Sequence, residues 1–328
     1  MTLEHALIRG LGNVIAPGGR QGRLAVLMYH RVLAQADPIH DFGTPVATFD
    51  AQMAALAGAF NVLPLAEAVE RMHAGDLPPR AVAITFDDGY RDNVDVACPI
   101  LRRHGLTATF FIATAMLDGG IMFHDAVSEV IRRCPSDHID LAWLGLGTLK
   151  LDAPGSRCAA IERIARAIKP VAPAQRAEIT RKLADSAGIA LPTDLMMTED
   201  HVRQLVASGM EIGGHTHDHP ILTSIGDDEV REQILINRRR LESITGRTLT
   251  LFAYPNGKPN QDYTARHAAI VRECGYRAAV NTAYGSGGTE TDLMQIPRVA
   301  PWEMSTRGFM LRLAAVGQRT RRLHTSAA

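Results

Sequence analysis

Short apolar runs rich in β-branched residues alternate with segments of helical period, starting near residue 24. Strands are predicted for LAVLMYH, FNVLPL, AVAITFDD, ATFFIAT, EIGGHT, TLTLFAYP, AAVNT and LMQIPRV. Between them, the apolar spacing predicts helices over 65–74, 94–104, 199–208, 228–245 and 262–274. Strands that alternate with helices form right-handed βαβ units and a parallel sheet. Seven or eight such strands predict an α/β protein whose sheet is a closed or nearly closed (β/α) barrel.

The stretch 115–198 breaks this alternation and contains no convincing strand. Its segments IERIARAIK and AQRAEITRKLADSAG have the spacing of helices. We therefore expect a helical insertion at the top of the barrel, where loops shape the substrate cleft. The predicted division is an amphipathic segment over 1–23, a barrel over 24–302, and a C-terminal helix with a basic tail over 303–328.

The net charge and the chain ends limit which partners and which cellular location are expected. The 35 basic residues balance the 35 acidic ones, so we expect no nucleic-acid partner. No apolar run approaches the roughly 18 residues of a membrane span, and the four cysteines form no C-x-x-C pair. The first residues make a poor secretory signal, which predicts a cytoplasmic protein. The basic tail leaves open a peripheral contact with the inner membrane face.

Two adjacent carboxylates, Asp87 and Asp88, directly follow the predicted strand AVAITF. With Gly89 they suit a solvated turn. Barrel enzymes, however, place catalytic groups at the C-terminal ends of their strands. Because neighbouring carboxylates repel each other, an enzyme that keeps both needs a nearby cation or a shared proton. Both residues are therefore candidates for a functional site.

Three histidines in five residues follow the predicted strand EIGG. His215 and His219 are four residues apart, so one helix-like turn would aim both rings at the same point. Two imidazoles and one carboxylate form the ligand set of a catalytic zinc with a position left for water. A histidine-rich surface loop is the alternative interpretation. We expect His217 to point elsewhere, either supporting a ligand or facing substrate.

Two further strand ends carry polar groups. The segment Tyr254–Gly257 is a Pro-Asn-Gly turn, which either presents backbone N–H groups to an anion or is a routine turn. His30 ends the first predicted strand. A lone histidine at such a place is structural more often than catalytic.

The segments TFDDGY, HTHDH and AYPNG together resemble three signature motifs of the NodB-type polysaccharide deacetylases, carbohydrate esterase family four. The resemblance covers about residues 24–300. It implies a distorted (β/α) barrel of about seven strands. It also implies an enzyme that removes N-acetyl groups from an amino-sugar-containing glycan or glycan precursor and releases acetate.

The same resemblance implies roles for individual residues. Asp87 would be the general base, and Asp88, His215 and His219 would hold a divalent metal. The backbone N–H of Asn256 would help to bind the oxyanion. The ligand set suits zinc, and cobalt, nickel or manganese are further candidates.

Two positions depart from the family pattern. Ala253 stands where many members have an arginine that orients the base, and we expect Arg298 to be the residue that takes its place. The C-terminal L-x-x-H motif that supplies the general acid in many members has no counterpart here. The poly-N-acetylglucosamine deacetylase subgroup takes its acid from an N-terminal Tyr-His motif, which Tyr29–His30 resembles. We therefore assign His30 as the general acid.

The resemblance also implies a carbohydrate partner, either an N-acetylated oligo- or polysaccharide or a lipid-linked glycan. As substrate-contacting residues we select four side chains near the motifs: Tyr90, His124, Tyr254 and Pro255. One alternative is a metal amidohydrolase of the same fold that acts on a non-sugar amide. Another is a non-catalytic carbohydrate-binding relative, which the missing arginine favours. A carboxylate cluster buried without a cation would be costly, which argues against it.

Overall fold

A computed structural model describes residues 16–35, 37, 39, 43–301 and 305–316. Within these residues the strands are β1 (Leu24–Tyr29), β2 (Arg31–Leu33), β3 (Gly43–Pro45), β4 (Asn61–Val62), β5 (Ala81–Phe86), β6 (Thr109–Ile112), β7 (His138–Asp140), β8 (Thr148–Lys150), β9 (Glu211–Gly214), β10 (Leu251–Ala253), β11 (Ala278–Tyr284) and β12 (Ile296–Arg298).

Seven of these strands form one parallel sheet in the order β1-β5-β6-β9-β10-β11-β12. The short β4 pairs with the first residues of β5. Val299, just after β12, returns to β1: its carbonyl accepts from the Met28 N–H at 3.0 Å, and its N–H donates to the Val26 carbonyl at 2.8 Å. This contact nearly closes the sheet, which confirms the predicted distorted (β/α) barrel of about seven strands.

The barrel strands are apolar on both faces. In β1, Leu24 and Val26 belong to one buried cluster, which also contains Ala81 and Ala83 of β5. The alternate residues Ala25 and Leu27 belong to a second cluster that includes residues of the surrounding helices. Burial on both faces explains why these strands appear in the sequence as continuous apolar runs rather than as alternating patterns.

Ten α-helices are described: α1 (Val46–Ala59), α2 (Leu65–Ala74), α3 (Cys98–Arg103), α4 (Phe123–Arg133), α5 (Pro154–Ile168), α6 (Pro173–Ala187), α7 (Glu199–Ala207), α8 (Asp227–Thr245), α9 (Ala265–Glu273) and α10 (Thr306–Val316). All five helices predicted between strands are present, with α3 preceded by a π-helical turn over Asn93–Ala97. The sequence pattern did not predict α1. Apolar and small residues occur all round this helix, so no single apolar stripe marks it.

The segment between β6 and α7 contains α4, the antiparallel pair β7–β8, α5 and α6 around a hydrophobic cluster of its own. The expectation of a strand-free stretch was therefore wrong. In each of the two strands only the central residue is buried, Ile139 in β7 and Leu149 in β8. An alternation this short gives too few apolar positions to identify a strand from sequence.

Several predictions concern the chain ends. Residues 1–15 and 317–328, which hold most of the amphipathic segment and the basic tail, lie outside the described residues. The domain limits, the cytoplasmic location and the membrane-surface contact stay predictions. Across the described ranges, no helix combines the length and apolar character needed to cross a bilayer.

Candidate metal centre

The carboxyl ends of β5 and β9 bring the paired carboxylates and the histidine turn together. The Asp88 Oδ1 atom lies 3.4 Å from the His215 Nε2 atom and 3.4 Å from the His219 Nε2 atom. Potential ligand atoms of these three residues all lie within 4.8 Å of one another. The Asp88 and His215 side chains are buried, and the His219 side chain is 12% exposed. One carboxylate and two imidazoles thus converge on one point.

The backbone fixes which nitrogen of His215 faces this point. Its Nδ1 atom lies 2.7 Å from the carbonyl oxygen of Ala253, at the end of β10. Because a carbonyl only accepts hydrogen bonds, Nδ1 carries the proton and donates it. In a neutral ring the lone pair is therefore on Nε2, beside Asp88. A histidine that ligates a metal is oriented in the same way by a hydrogen bond from its other nitrogen.

The three residues fit a divalent cation. Zinc bonds of about 2.0–2.1 Å in a tetrahedral arrangement put neighbouring ligand atoms roughly 3.3–3.4 Å apart. The two separations of 3.4 Å from Asp88 agree with that spacing. Imidazole and carboxylate ligands suit zinc, and cobalt, nickel and manganese accept the same donor types. Asp88, His215 and His219 could therefore hold such an ion.

Local electrostatics also favour cation binding. Burial alone would raise the pKa of Asp88, but the hydrogen bond with His215 and the neighbouring imidazoles outweigh it and hold the pKa well below the usual range. Burial lowers the pKa of His219 to about 3. Burial would also lower the pKa of His215, yet Asp88 and the charge of Asp87 raise it overall. A cation that binds here meets an ionised carboxylate and competes with a proton for the Nε2 atom of His215.

Asp87 does not share the orientation of Asp88, because it is paired with Arg298 from β12. The Arg298 guanidinium donates two hydrogen bonds, at 2.8 Å to Asp87 Oδ1 and at 2.7 Å to Asp87 Oδ2. The same guanidinium donates to the Thr85 hydroxyl at 3.1 Å and to the Asn281 carbonyl at 3.0 Å. Burial would raise the pKa of Asp87, but Arg298 lowers it overall. Arg298 therefore holds an ionised Asp87 in one orientation, although position 253 is an alanine and supplies no charge.

His30 and Asn256 follow the carboxyl ends of β1 and β10, two strands that are not adjacent in the sheet. His30 follows β1, is partly buried, and is close enough that its charge lowers the pKa of Asp87 and of Asp88. Its backbone carbonyl accepts a hydrogen bond of 2.8 Å from Asn93. Asn256 follows β10 and the buried Pro255, and its carbonyl accepts a hydrogen bond of 2.9 Å from the Thr282 hydroxyl.

Left-handed backbone conformations, which residues other than glycine rarely adopt, are concentrated at this end of the barrel. Among the described residues, seven residues other than glycine have a positive φ, and four of them belong to the motifs. Their φ angles are 78° at Asp88, 63° at Thr216, 53° at His219 and 57° at Asn256. Such conformations persist only where the surrounding structure enforces them, and they cluster at functional sites.

Tyr90 connects the first motif with α4. Its hydroxyl donates to Asp125 Oδ2 at 2.8 Å and lies 3.0 Å from His124 Nε2. The Tyr90 side chain is buried, whereas the His124 side chain is 24% exposed and lies near His219. His124 is therefore the better placed of the two to meet a bound molecule.

The expectation that the Tyr254 side chain contacts substrate needs correction. Its ring stacks on Tyr263 with centroids 3.8 Å apart, and its hydroxyl donates to the Met294 carbonyl at 2.9 Å. The side chain is 1% exposed. The Tyr254 ring is thus part of the core and does not face solvent at this turn.

The histidine turn makes three further contacts, of which only the direction of His217 was expected from the sequence. Arg176 of α6 lies over the Phe123 ring, and its guanidinium donates to the His219 carbonyl at 3.4 Å. His217 points away from the cluster, and its Nδ1 atom lies 2.9 Å from the Thr114 hydroxyl. Asn237 of α8 bonds to the turn from beneath and is fully buried. A signal for Asn237 exists, because it occupies a position on the buried stripe of α8: Val230, Ile234, Asn237, Leu241 and Ile244.

Solved structures share this fold. The Streptococcus pyogenes deacetylase PplD, solved with acetate, superposes with a TM-score of 0.62 at 17% identity, covering 89% of this chain and 98% of that one. IcaB from Ammonifex degensii superposes with a TM-score of 0.58 at 19% identity, covering 93% and 99%. Identities this low establish the fold alone.

Sequence comparisons give the family. The Bacillus subtilis protein YxkH is 20% identical over 282 residues, which is 85% of this chain and 72% of that protein. The sequence model described as polysaccharide deacetylase matches residues 74–142 and 173–279, more than half of the chain. These two ranges include both aspartates, the histidine turn and the Pro-Asn-Gly turn. The chain belongs to the polysaccharide deacetylase family.

Proposed function

We propose that the protein is a metal-dependent hydrolase that removes N-acetyl groups from an amino sugar of a glycan or glycan precursor and releases acetate. The observation that carries the proposal is the cluster of Asp88, His215 and His219 beside a second, ionised carboxylate that Arg298 orients. A cation site next to a separate base is what amide hydrolysis by water requires.

Each residue has a distinct task in this proposal. A divalent ion held by the cluster supplies positive charge that polarises an acetamide carbonyl and acidifies water. Asp87 accepts the proton of the attacking water, and Arg298 keeps Asp87 ionised and oriented. The Asn256 N–H donates to the oxyanion that develops on the carbonyl oxygen. Such a donor contributes about 10²–10³ in rate.

The leaving group needs a proton, because an amine departs poorly as an anion. We propose His30 as the donor, since it follows β1 at the same end of the barrel as both aspartates and its charge acts on the pKa of each. With Tyr29 it forms the Tyr-His pair that resembles the poly-N-acetylglucosamine deacetylase subgroup. His124, at the edge of the inserted segment, is the proposed sugar contact.

The geometry bears on the non-catalytic alternative. That alternative was favoured by the lack of an arginine at Ala253. A bidentate Arg298–Asp87 pair fills the same need from β12, so the substitution at position 253 no longer supports a loss of activity.

Acetate release tests the proposed function. Metal-free protein is reloaded separately with zinc, cobalt, nickel or manganese. It is then assayed on N-acetylglucosamine oligomers, on a lipid-linked N-acetyl sugar and on small non-sugar amides. We expect metal-dependent acetate release from at least one of the sugar substrates. Faster hydrolysis of the small amides would favour the amidohydrolase alternative. A lack of turnover with every metal would favour the binding protein.

Replacing His30 with alanine is expected to slow acetate release by about 10²–10⁴-fold, the usual contribution of a general acid. The bound metal should stay at the wild-type level, because His30 lies outside the ligand cluster. Turnover and metal content are measured on the same samples, with His138→Ala in the exposed hairpin as control. Turnover close to wild type would remove His30 as the acid.

Replacing Arg298 with methionine is expected to move the acidic limb of the kcat/KM–pH profile to higher pH. Arg298 lowers the pKa of Asp87, so its removal raises that pKa. Asp87 then becomes protonated, and inactive as a base, at a higher pH. Arg298→Lys keeps the charge and should shift the limb less. An acidic limb at the wild-type position in the folded methionine variant would mean that Asp87 is not the base.

A further inference from the structure

The turn after β9 carries both histidines of the cluster in a strained backbone. Thr216 has a φ of 63° and His219 a φ of 53°. A left-handed conformation is unusual for any residue with a side chain, and a β-branched threonine adopts it as a genuine outlier. The turn therefore depends on contacts from outside to keep this shape.

Asn237 of α8 supplies several of those contacts through a single amide, beside the hydrogen bonds that Arg176 and Gln233 make to later residues of the turn. Its Oδ1 atom accepts a hydrogen bond of 3.2 Å from the His215 N–H. Its Nδ2 group donates to the Thr216 carbonyl, to the Ile112 carbonyl at 2.8 Å and to the Thr114 hydroxyl at 3.3 Å. The side chain is fully buried. One side chain thus ties the histidine turn to the end of β6.

The backbone of Gly214 packs closely against Asn237 and Tyr276. A Cβ atom on Gly214 would lie 2.9 Å from the Asn237 Oδ1 atom and 2.1 Å from the Tyr276 hydroxyl oxygen. The helix and the strand therefore approach as closely as they do only because position 214 has no side chain. At this distance the Asn237 amide reaches both the His215 N–H and the Thr216 carbonyl, which lie on either side of the strained Thr216 Cα atom.

We propose that Asn237 is a positioning residue for the metal centre, an inference that rests on the proposed metal site. By fixing the backbone between His215 and Thr216, it keeps both Nε2 atoms 3.4 Å from the same Asp88 oxygen. Aspartate is nearly the same size but has no N–H to donate, so it would remove the side-chain donor from the Thr216 and Ile112 carbonyls. The Thr216 carbonyl would keep only the Thr114 N–H, at 3.3 Å. It would also add a negative charge beneath the turn.

Metal affinity tests this role directly. The full-length wild type, Asn237→Asp and the milder Asn237→Ser are prepared metal-free and titrated with zinc against a chromophoric chelator. Removing a residue that orients metal ligands typically weakens affinity by about 10–100-fold, and we expect a loss of that size for Asn237→Asp. Asn237→Ser keeps one donor and no charge, so its loss should be smaller.

A control on the same helix separates positioning from general stability. Ile234 is fully buried one turn before Asn237, and Ile234→Ala is expected to destabilise the helix while removing no hydrogen bond to the histidine turn. Thermal unfolding in chelator ranks the three variants by stability. We expect Ile234→Ala to bind zinc like the wild type even where it is the least stable.

The outcomes are distinct. Asn237 variants that lose stability but keep wild-type zinc affinity would show that Asn237 is only a structural residue. Should Asn237→Asp fail to fold, an unchanged affinity in Asn237→Ser would lead to the same conclusion. A wild type that binds no divalent ion would instead contradict the proposed function, whatever the variants do.

Discussion

Asp87→Asn is expected to lower acetate release by about 10²–10⁴-fold, the usual contribution of a general base, while the bound metal stays at the wild-type level. Asparagine matches the shape of aspartate but cannot accept the proton of the attacking water. Asp87 is not needed for the cation, because its two oxygens are held by Arg298 and it lies outside the ligand cluster. Acetate release and metal content are measured on the same preparation.

Two comparisons make this result specific. The substitution leaves the buried Arg298 without a full counter-charge, so thermal unfolding must show that the variant is folded at the assay temperature. Asp95→Asn, an exposed position in the same region, should retain full activity. If Asp87→Asn lost metal as completely as it lost activity, the roles of Asp87 and Asp88 would have to be exchanged.

His219→Ala is expected to abolish stable metal binding, whereas His217→Ala should bind metal like the wild type. The two residues belong to the same short turn, but only His219 directs its ring at Asp88. His217 contacts the Thr114 hydroxyl instead. Loss of a ligand should weaken affinity by more than the roughly 10–100-fold seen when a supporting residue is removed. Elemental analysis after dialysis and a chelator competition titration measure the difference.

Because His217 and His219 lie in the same turn, each variant is a control for the other. A surface loop rich in histidine would lose metal gradually as each ring is removed, with little distinction between positions. Equal losses in His217→Ala and His219→Ala would therefore support the loop interpretation and count against a defined site.

The topology of a parallel barrel allowed the candidate cluster to be predicted from the sequence. Asp88 and His215 are far apart in the chain, but each directly follows an apolar strand. In a parallel barrel all such positions lie at the same end, so recognising the strands was sufficient to predict that these groups are close in space. The carboxylate–imidazole spacing then depends on the backbone of the turns that follow β5 and β9.

Side-chain direction was harder to predict than backbone position. Tyr254 lies in a motif, yet its ring turns into the core because Tyr263 and the Met294 carbonyl provide its partners there. Asn237 lies on a buried helical stripe, where its polarity stands out. Which groups it bonds depends on the close approach of α8 to Gly214, a tertiary contact that no local pattern encodes.

The ion pair of Arg298 with Asp87 could be predicted in part from the sequence. The resemblance to the deacetylase family implies an arginine that orients the base, and Arg298 was expected to take the place of the one missing at Ala253. The bidentate geometry depends on the near closure of the sheet, which places β12 next to β1 and two strands from β5, with Thr85 and Asn281 holding the same guanidinium. The position of Arg298 in the sequence identifies it as a candidate but does not predict which atoms it contacts.

The most direct test of a shared ion is anomalous diffraction at the zinc absorption edge from crystals of the protein grown with zinc. We expect a strong peak about 2.0–2.2 Å from an Asp88 carboxylate oxygen and from the Nε2 atoms of His215 and His219. A peak bound elsewhere, or clear density for these three side chains with no peak between them, would contradict a shared ion at this site.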